Sequence, residues 1–331
     1  MLDGKSMLIT GGTGSFGKKF ISTILKGYSM VERIIVYSRD EFKQFHMSNM
    51  PEFAGNPKLR YFIGDVRDIQ RLYRAFDGVD IVIHAAALKQ VPACEYNPFE
   101  AVKTNVLGAE NIINAAIDKN VKKVVALSTD KACSPINLYG ATKLCSDKLF
   151  IAGNAYAGSK NTHFSVVRYG NVAGSRGSVI PFFKALIAKN ADTLPITDPR
   201  MTRFWLKLEQ AVDMVLYALK NMTGSELFIR KAPSIKIIDL AKAMAPDMPI
   251  DVVGIRPGEK IHEMMVSKED ARNTLEFDDY YVIKPELPGW KSSEFINSGK
   301  PVEDDFEYHS GNNAQWLDVK QIRKLVSELD V

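Results

Sequence analysis

A tyrosine and a lysine stand four residues apart in the run Tyr139-Gly-Ala-Thr-Lys143. On a helix, side chains at this spacing lie on one face. A phenol with a pKa of about 10 is a weak base at neutral pH, and a nearby ammonium lowers that pKa by favouring the phenolate. The pair therefore has the chemistry to take a proton from an alcohol as hydride leaves the same carbon. A surface helix pair without chemistry is the alternative.

Two hydroxyls and two titratable groups precede this pair. Ser128 and Thr129 end an apolar, β-branched run, and Asp130 and Lys131 follow them directly. Ligands of open α/β sheets bind beyond the carboxyl ends of the strands, so we expect these side chains to face the same site as Tyr139.

A glycine-rich turn follows the first apolar run. Gly11, Gly14 and Gly17 recur every three residues, directly after residues 7–10 and at the start of a helical pattern at 15–27. Such a turn lets the backbone approach a pyrophosphate, and the helix N-terminus favours its negative charge. The strand before and the helix after favour a dinucleotide site over a merely flexible turn.

The end of the second strand distinguishes the two nicotinamide cofactors. A carboxylate there would bind the ribose hydroxyls of NAD, whereas an arginine pairs with the extra phosphate of NADP. Ser38 and Arg39 occupy this place, and Lys43 lies one helical turn further on. We expect Asp40 to be the N-cap of the following helix. NADP is therefore favoured, with a solvated surface arginine as the alternative.

The surrounding sequence predicts the elements that position these groups. Short β-branched runs predict strands at 7–10, 33–37, 59–63, 80–84, 122–128 and 163–168, and helical periodicity predicts helices at 15–27, 40–49, 68–76, 98–119 and 139–157. Six strands with helical crossovers predict an α/β fold with a doubly wound parallel sheet.

The chain after residue 170 changes in character. It predicts helices near 181–189, 208–221, 236–245 and 318–329 and a strand at 226–230. From about residue 286 it is polar and aperiodic, which predicts a tail over the surface or on a neighbouring subunit. We therefore expect a Rossmann domain at 1–170 and a smaller C-terminal α/β domain with the tail at 171–331, with some exchange of chain between them.

Composition is that of an ordinary globular protein. The 331 residues are 46% hydrophobic and 25% charged, and the net charge of +4 is spread along the chain without basic clusters. We expect no nucleic-acid partner and no membrane association. Three cysteines and five histidines lack metal-ligand spacing, so we expect no metal and no disulfide framework. The N-terminal apolar run is too short for a signal peptide, which predicts a cytoplasmic protein.

These motifs carry a specific resemblance. GGTGSFG, HAAA, Ser128/Thr129 and Tyr139/Lys143 resemble the extended short-chain dehydrogenase/reductase family that acts on nucleotide sugars. More narrowly, the chain resembles the inverting UDP-N-acetylglucosamine 4,6-dehydratases of pseudaminic acid biosynthesis. The segments that carry this resemblance, within residues 7 to 263, are YSRDE, FIGDVRD, HAAALKQVP, STDKA, NLYGATKLCSDKLF, RYGNVAGSRGSVIPFF, ITDPRMTRFW and GIRPGEKIHE.

The resemblance implies an internal redox cycle. NADP⁺ would oxidise C4 of the sugar with Tyr139 as base, Lys143 holding the ribose and Thr129 bonding the 4-oxygen. The C4 ketone acidifies the C5 proton, water leaves across C5 and C6, and hydride returns to C6. The product would be UDP-2-acetamido-2,6-dideoxy-β-L-arabino-hex-4-ulose, the first intermediate of pseudaminic acid synthesis for flagellin glycosylation. A homo-oligomer, dimer or hexamer, is also implied.

Retaining dehydratases of this superfamily carry Asp-Glu where this chain has Asp130-Lys131. We expect Asp130 to be the acid and Lys131 the base, which requires that burial or neighbouring cations lower the Lys131 pKa so that the amine is neutral. A lysine could also return the proton on the opposite face and invert C5. The alternatives are a phosphate or surface contact for Lys131 and a purely orienting role for Asp130.

The remaining candidates fall into two sets. The predicted cofactor contacts are Gly11, Thr13, Gly14, Ser15, Phe16, Gly17, Ser38, Arg39, Lys43, Asp65, Val66, Ala85, Ala86, Ala87, Lys89, Asn105, Tyr139 and Lys143. The predicted substrate contacts are Lys89, Asn171, Ser178, Val179, Arg203, Arg256 and Glu259, with the arginines suited to the pyrophosphate. Taken alone, each arginine is more often a salt-bridged surface residue.

Three other functions remain open. A UDP-sugar 4-epimerase or a retaining 4,6-dehydratase would share the fold, and a non-catalytic NADP-sensing protein would share the cofactor site. The Asp130-Lys131 pair argues against a simple epimerase, which needs no elimination. Thr129, Tyr139 and Lys143 together argue against a sensor.

Overall fold

The computed structural model describes residues 1–174, 178–286, 290 and 292–329. Residues 175–177, within the segment RYGNVAGSRGSVIPFF, and the tail residues 287–289, 291, 330 and 331 lie outside the described part. The strands are β1 (Ser6–Thr10), β2 (Arg33–Ser38), β3 (Leu59–Ile63), β4 (Ile81–His84), β5 (Lys123–Leu127), β6 (His163–Arg168), β7 (Leu194–Ile196), β8 (Thr202–Phe204), β9 (Leu227–Arg230), β10 (Ser234–Lys236), β11 (Ile250–Val252), β12 (Met264–Val266), β13 (Thr274–Glu276), β14 (Tyr280–Ile283), β15 (Lys300–Pro301) and β16 (Tyr308–His309). The helices are α1 (Ser15–Gly27), α2 (Glu41–Ser48), α3 (Ile69–Ala75), α4 (Val91–Tyr96), α5 (Pro98–Val102), α6 (Gly108–Asp118), α7 (Leu138–Ala157), α8 (Val179–Ala188), α9 (Leu208–Asn221), α10 (Ile237–Met244), α11 (Lys268–Ala271), α12 (Glu294–Asn297) and α13 (Val319–Ser327).

One large sheet organises the described part of the chain, in the order β15-β13-β14-β9-β6-β5-β4-β1-β2-β3. The strands from β3 across to β9 pair in parallel, whereas β14, β13 and β15 add antiparallel pairs at one edge. The predicted α/β class with a doubly wound sheet is confirmed. Strands from beyond residue 170 extend this sheet, so the sheet is not confined to the first part of the chain.

The sheet is covered on both faces because successive side chains of each strand point to opposite sides. On one face Leu8, Val124 and Phe164 pack with residues of α3, α6 and α7. On the other, Ile9 and Val125 pack with residues of α1 and α9. A third cluster joins α8, β7, α10 and α13, away from the sheet. The reactive groups at the strand ends therefore stand on a rigid layered support.

The predicted helix at 98–119 is interrupted. It consists of α5, a π-helical turn at Lys103–Leu107 and then α6. A Cβ on Gly108 would lie 2.9 Å from Val66 Cγ2, so this glycine permits close packing where the geometry changes. The tail also differs from the aperiodic prediction, because β15 pairs with β13 and β16 pairs with β12 of the same chain. Within the described residues, no helix combines the length and apolar character needed to cross a membrane.

Candidate active site

A groove of about 1220 Å³ runs along the carboxyl ends of the central parallel strands. It is lined by all the residues predicted to be catalytic, all predicted substrate contacts and all predicted cofactor contacts except Asn105. The residues predicted to be catalytic, Thr129, Asp130, Lys131, Tyr139 and Lys143, all belong to this lining. Residues from β1 through to the segment before β12 therefore meet in one cleft, as expected for ligands of an open α/β sheet.

The glycine turn has the geometry of a phosphate cradle. Gly11 has a φ of +66°, and a Cβ there would lie 3.0 Å from the backbone of Ala85 and Ala86. A Cβ on Gly17 would overlap the carbonyl oxygen of Gly12, so only glycine lets α1 pack this closely. Gly14 caps α1 without a side-chain hydrogen bond, which leaves the first N–H groups of the helix to an anion. The turn therefore fits a pyrophosphate.

Cations line the groove beyond β2. The side chain of Arg39 is 51% exposed and its guanidinium lies 3.6 Å from Asp65 Oδ2. Arg67 also donates to that oxygen, at 2.7 Å, so Arg39 shares its partner. Asp40 accepts from the backbone N–H of Lys43 at 2.9 Å, which confirms Asp40 as the N-cap of α2. The Lys43 ammonium is 2.7 Å from Asp40 Oδ2.

Asn105 does not line the groove, contrary to its place among the predicted cofactor contacts. Its carbonyl oxygen accepts from the N–H of Leu88 at 2.9 Å. Its amide nitrogen donates to the carbonyl of Leu88 at 2.9 Å and to Thr142 Oγ1 at 3.0 Å. Both ends of the amide are occupied, so Asn105 joins the segment after β4 to α7 rather than facing a ligand.

Tyr139 and Lys143 occupy the first turns of α7, which begins under the N-cap of Asn137. Burial raises the pKa of Tyr139 to about 12, against the opposing charge of Lys131 and a hydrogen bond from Thr129. Burial also lowers the pKa of Lys143, partly offset by Asp147. The pKa of Tyr139 is therefore raised overall, because loss of water around the phenol outweighs the effects of Lys131 and Thr129. The lowering of this pKa by Lys143 stays a prediction.

Asp130 and Lys131 lie in a 3₁₀ turn directly after β5. Asp130 is 1% exposed and accepts from Thr129 Oγ1 at 2.9 Å and from Lys131 Nζ at 3.1 Å. Its other oxygen, Oδ2, is buried without a hydrogen-bond partner among the described residues. Burial raises the pKa of Asp130, although Lys131 opposes this. A proton on this carboxyl group is therefore favoured relative to an ordinary aspartate.

The expected lowering of the Lys131 pKa is wrong. Lys131 Nζ lies 3.1 Å from Asp130 Oδ1 and 3.0 Å from Glu263 Oε1. Burial disfavours the ammonium, but these two carboxylates outweigh burial and raise the pKa of Lys131. Arg203 opposes the carboxylates without reversing them. The ammonium is therefore the favoured form of Lys131 at rest.

Sequence reasoning missed Glu263, which supplies the second carboxylate. It lies directly before β12, in the quoted segment GIRPGEKIHE, where no spacing relates it to Lys131. Asp147 was also missed. It accepts from Ser128 Oγ at 2.6 Å, pairs with Arg168 at 3.4 Å and lies one helical turn beyond Lys143. That turn spacing on α7 was the available signal.

The predicted substrate residues also line the groove. Arg203 donates to the carbonyl of Ile261 at 3.1 Å and lies 3.6 Å from Glu263 Oε1. Arg256, with its side chain 60% exposed, is 3.9 Å from Glu259. Asn137 Nδ2 donates to the carbonyl of Gly258 at 2.7 Å, which fastens this loop to α7. The remaining substrate candidates in the lining are Lys89, Asn171, Ser178 and Val179.

Comparison with known proteins gives consistent results. The sequence model of the family described as "Polysaccharide biosynthesis protein" matches residues 7–285. A protein of Campylobacter jejuni subsp. jejuni serotype O:23/36 (strain 81-176) named UDP-N-acetylglucosamine 4,6-dehydratase (inverting) is 54% identical over 336 residues, covering 100% of this chain and 99% of that protein. A UDP-glucose 4-epimerase of Rickettsia akari is 42% identical, covering 98% and 96% respectively.

A solved structure agrees over the same length. The X-ray structure of Pen from Bacillus thuringiensis is 38% identical, covers 99% of both chains and superposes with a TM-score of 0.89. The resemblance drawn from the motifs is confirmed by the Campylobacter relative. The chain therefore belongs to the polysaccharide biosynthesis protein family, which has the extended short-chain dehydrogenase/reductase fold.

Proposed function

We propose that this protein is an NADP-dependent UDP-N-acetylglucosamine 4,6-dehydratase that inverts C5, a carbon–oxygen lyase. The observation that carries the proposal is the Asp130-Lys131 pair, 3.1 Å apart in the groove wall beside Thr129 and Tyr139. An elimination needs an acid and a base close together, whereas simple redox chemistry at C4 does not. The name of the full-length relative at 54% identity supports the same reaction.

NADP fits the cofactor end of the groove. The backbone of the Gly11 to Gly17 turn would hold the pyrophosphate, Arg39 the 2′-phosphate and Lys143 the nicotinamide ribose. When bound, the nicotinamide accepts hydride from C4 and later returns it to C6. The exposed guanidinium of Arg39, which lies 3.6 Å from Asp65, supports NADP over NAD.

Tyr139 and Thr129 would assist the oxidation at C4. The Thr129 hydroxyl would bind the 4-oxygen, and the Tyr139 side chain, as the phenolate, would take the proton of the 4-hydroxyl. Because burial raises the Tyr139 pKa to about 12, the phenol needs positive charge beside it to act as a base near neutral pH. Lys131 already opposes the burial effect, which makes Lys131 important to this first step as well.

One proton transfer would prepare the elimination. Passing a proton from Lys131 Nζ to Asp130 Oδ1, across 3.1 Å, turns an ion pair into a neutral amine and a carboxylic acid. The amine then takes the C5 proton while the acid protonates the departing C6 hydroxyl, which leaves as water. Both groups return to the charged pair, and the ammonium of Lys131 can deliver a proton to the opposite face of C5, which leaves Lys131 neutral. The proton that Tyr139 took from the 4-hydroxyl then restores the ammonium, so the proton count closes over the whole cycle.

The remaining expectations from the resemblance belong to the same proposal. The first portion, 1–170, would hold the cofactor and reacting groups, and 171–331 would mainly select the nucleotide sugar. The reaction would open pseudaminic acid synthesis for flagellin glycosylation in the cytoplasm, in a homo-oligomer of two or six chains. UDP-N-acetylglucosamine is then the partner, with no nucleic-acid or membrane partner.

A UDP-sugar 4-epimerase is the second candidate, favoured by the 42% identity to the Rickettsia protein of that name. One experiment separates the readings. The purified protein is incubated with UDP-N-acetylglucosamine in deuterated water and the product is followed by NMR. Deuterium at C5 of an L-configured 4-keto, 6-deoxy sugar is expected. A C4 epimer that keeps its C6 hydroxyl would overturn the proposal, and a D-configured 4-keto product would indicate a retaining dehydratase.

A further inference from the structure

Glu263 brings a second buried carboxylate to the amine of Lys131. It is 2% exposed, and its Oε1 lies 3.0 Å from Lys131 Nζ and 3.6 Å from Arg203 Nε. Its Oε2 is buried and has no hydrogen-bond partner among the described residues. A carboxylate is retained at such a site only when its cationic neighbours offset the loss of water. One oxygen of Glu263 thus links the proposed base to a proposed substrate arginine.

Hydrogen bonds to Ser310, in the C-terminal tail, hold the backbone at Glu263 in place. The Glu263 N–H donates to Ser310 Oγ at 2.9 Å, and the Ser310 N–H donates to the Glu263 carbonyl at 2.8 Å. Ser310 Oγ in turn donates to the carbonyl of Thr202 at 3.1 Å. Lys260, three residues earlier, donates to the carbonyl of Cys133 at 2.6 Å, which fastens the same loop to the turn that carries Lys131. The carboxylate is therefore held in a defined position relative to the amine.

We propose that Glu263 is a positioning residue for Lys131: it orients the Nζ towards Asp130 and, with its fixed charge, sets the pH range in which the Asp130–Lys131 pair holds the single proton that the elimination needs. This inference rests on the proposed elimination. Because Lys131, Arg203 and Lys260 lower the pKa of Glu263 against its burial, it stays ionised while Asp130, with its raised pKa, receives the proton. The two carboxylates thus have different tasks, one as counter-ion and one as proton acceptor.

The charge balance around the amine involves several elements. The titratable and charged groups that interact with Lys131 are Asp130, Glu263, Arg203, Lys89, Lys260 and Tyr139. Replacing Glu263 by glutamine removes one negative charge from this set and keeps the size of the side chain. The remaining cations then disfavour the ammonium, so the Lys131 pKa falls. Glu263 also raises the pKa of Asp130. The rising limb of the pH profile for C5 proton exchange, where the doubly protonated Asp130–Lys131 pair loses its first proton, is therefore expected to move to lower pH in Glu263→Gln by about one unit or more.

The first measurement is the pH profile of C5 exchange with UDP-N-acetylglucosamine for wild type, Glu263→Gln and Glu263→Asp. Glu263→Gln is expected to lose about tenfold in plateau rate, with little change in KM, because the amine is no longer oriented. Glu263→Asp keeps the charge, so its limb is expected to stay near that of wild type although its plateau rate falls. A rising limb at the same pH in wild type and in folded Glu263→Gln would overturn the proposal.

A matched control separates positioning from folding. Glu226 is also a fully buried glutamate, but it accepts from Ser165 Oγ at 2.6 Å and from the N–H of Gly224 at 2.9 Å, away from the groove lining. Glu226→Gln is expected to lower the melting temperature without moving the limb. A limb shift of the same size in Glu226→Gln would assign the effect to general loosening of the fold and so contradict a role specific to Glu263.

A second readout does not depend on turnover. The Nζ pKa of Lys131 is measured by ¹⁵N NMR in lysine-labelled protein, with the signal assigned by its loss in Lys131→Ala. It is expected to fall in Glu263→Gln, and an unchanged value overturns the positioning inference. If the Lys131 pKa is lower in Glu263→Gln than in wild type but wild type forms no dehydrated product, the proposed function fails while the electrostatic role of Glu263 stands.

Discussion

The cofactor end and the elimination cluster of the groove are built in different ways. The cofactor end uses backbone: Gly11 and Gly17 stand where a Cβ would strike neighbouring main chain, and α1 presents its N-terminus. The elimination cluster, which consists of Asp130, Lys131 and Glu263, uses charge. The Nζ of Lys131 lies 3.1 Å from Asp130 Oδ1 and 3.0 Å from Glu263 Oε1. The first depends on shape within one turn, and the second on a charge balance between distant segments.

This difference teaches where each region can fail. A wrong shape in the glycine turn displaces α1 from the sheet, so stability and cofactor binding fall together. A wrong charge in the elimination cluster leaves the sheet in place and changes the chemistry, because the cluster lies at the strand ends and not between the layers. Substitutions in the two regions should therefore give separable effects on folding, cofactor binding and proton transfer.

The largest expected effect is that of Lys131→Ala on proton exchange at C5. Removing the amine takes away the proposed base, and loss of a general base costs about 10²- to 10⁴-fold in rate. Exchange into deuterated water is expected to fall by about 10³-fold, while NADP binding, followed by fluorescence titration, is unchanged. Lys242→Ala, on the outer side of α10, serves as the control. Exchange equal to wild type in Lys131→Ala would remove this residue from the mechanism.

Next in size is the effect of Gly17→Ala on stability. The new Cβ would overlap Gly12 O, and overpacking against a backbone that cannot give way costs about 1–3 kcal/mol. We expect the free energy of unfolding in urea to fall by about 3 kcal/mol and NADP binding to weaken. Gly27→Ala is the matched control, since α1 also carries Gly27 and a Cβ there meets nothing within 4 Å. If both substitutions cost the same, close packing at Gly17 is not the cause.

The two regions also differ in how far they could be predicted from sequence. The glycine turn, its flanking strand and helix, and the Asp40 N-cap are local patterns, so spacing alone located them. Asp130 and Lys131 were found because they follow a strand directly. Glu263 was not, because its contact with Lys131 joins segments that no periodicity relates. The charge state of Lys131 was mispredicted for the same reason, since it depends on that tertiary partner.

The fold shows the same division. The bounds of α1 and α9 were predicted to the residue, since each carries a continuous apolar face. The helix predicted at 98–119 is broken at Lys103–Leu107, where Gly108 meets Val66 from another segment. Short strands such as β15 and β16 have too few residues for a period-two pattern and are defined by their partners. Local signals fixed the long elements, and tertiary contacts fixed the others.

A pH-dependent weakness is expected beneath the cofactor end. His84 is buried with its Nδ1 2.9 Å from Thr10 Oγ1, and burial, with a smaller effect of Lys143, lowers its pKa to about 3. Between pH 6.5 and 3 the unfolded chain therefore binds a proton that the folded chain does not, so stability falls as the pH falls. From pH 7 to pH 5 this histidine alone is expected to cost about 2 kcal/mol.

Urea unfolding of wild type and His84→Gln at pH 7 and pH 5 checks this expectation. The loss between the two pH values should be smaller in the variant by about 2 kcal/mol, whatever the cost of the substitution itself. Equal losses in the two proteins would show that His84 is not the acid-sensitive group.

The smallest expected effect concerns cofactor choice at Arg39. Its guanidinium is half exposed and shares Asp65 with Arg67, so the pairing that it would exchange for a phosphate is weak. A hydrogen bond to a charged group contributes about 1.5–3 kcal/mol, of which an exposed site retains the lower part, so Arg39→Ala is expected to weaken NADP binding by about tenfold. NAD binding should be unchanged, because NAD has no phosphate at that position.

Arg74→Ala, which removes the same charge outside the groove lining, is the control for net charge. A preference for NAD in the wild-type protein would instead make Arg39 a surface residue, and the cofactor end would then recognise only the pyrophosphate through its backbone.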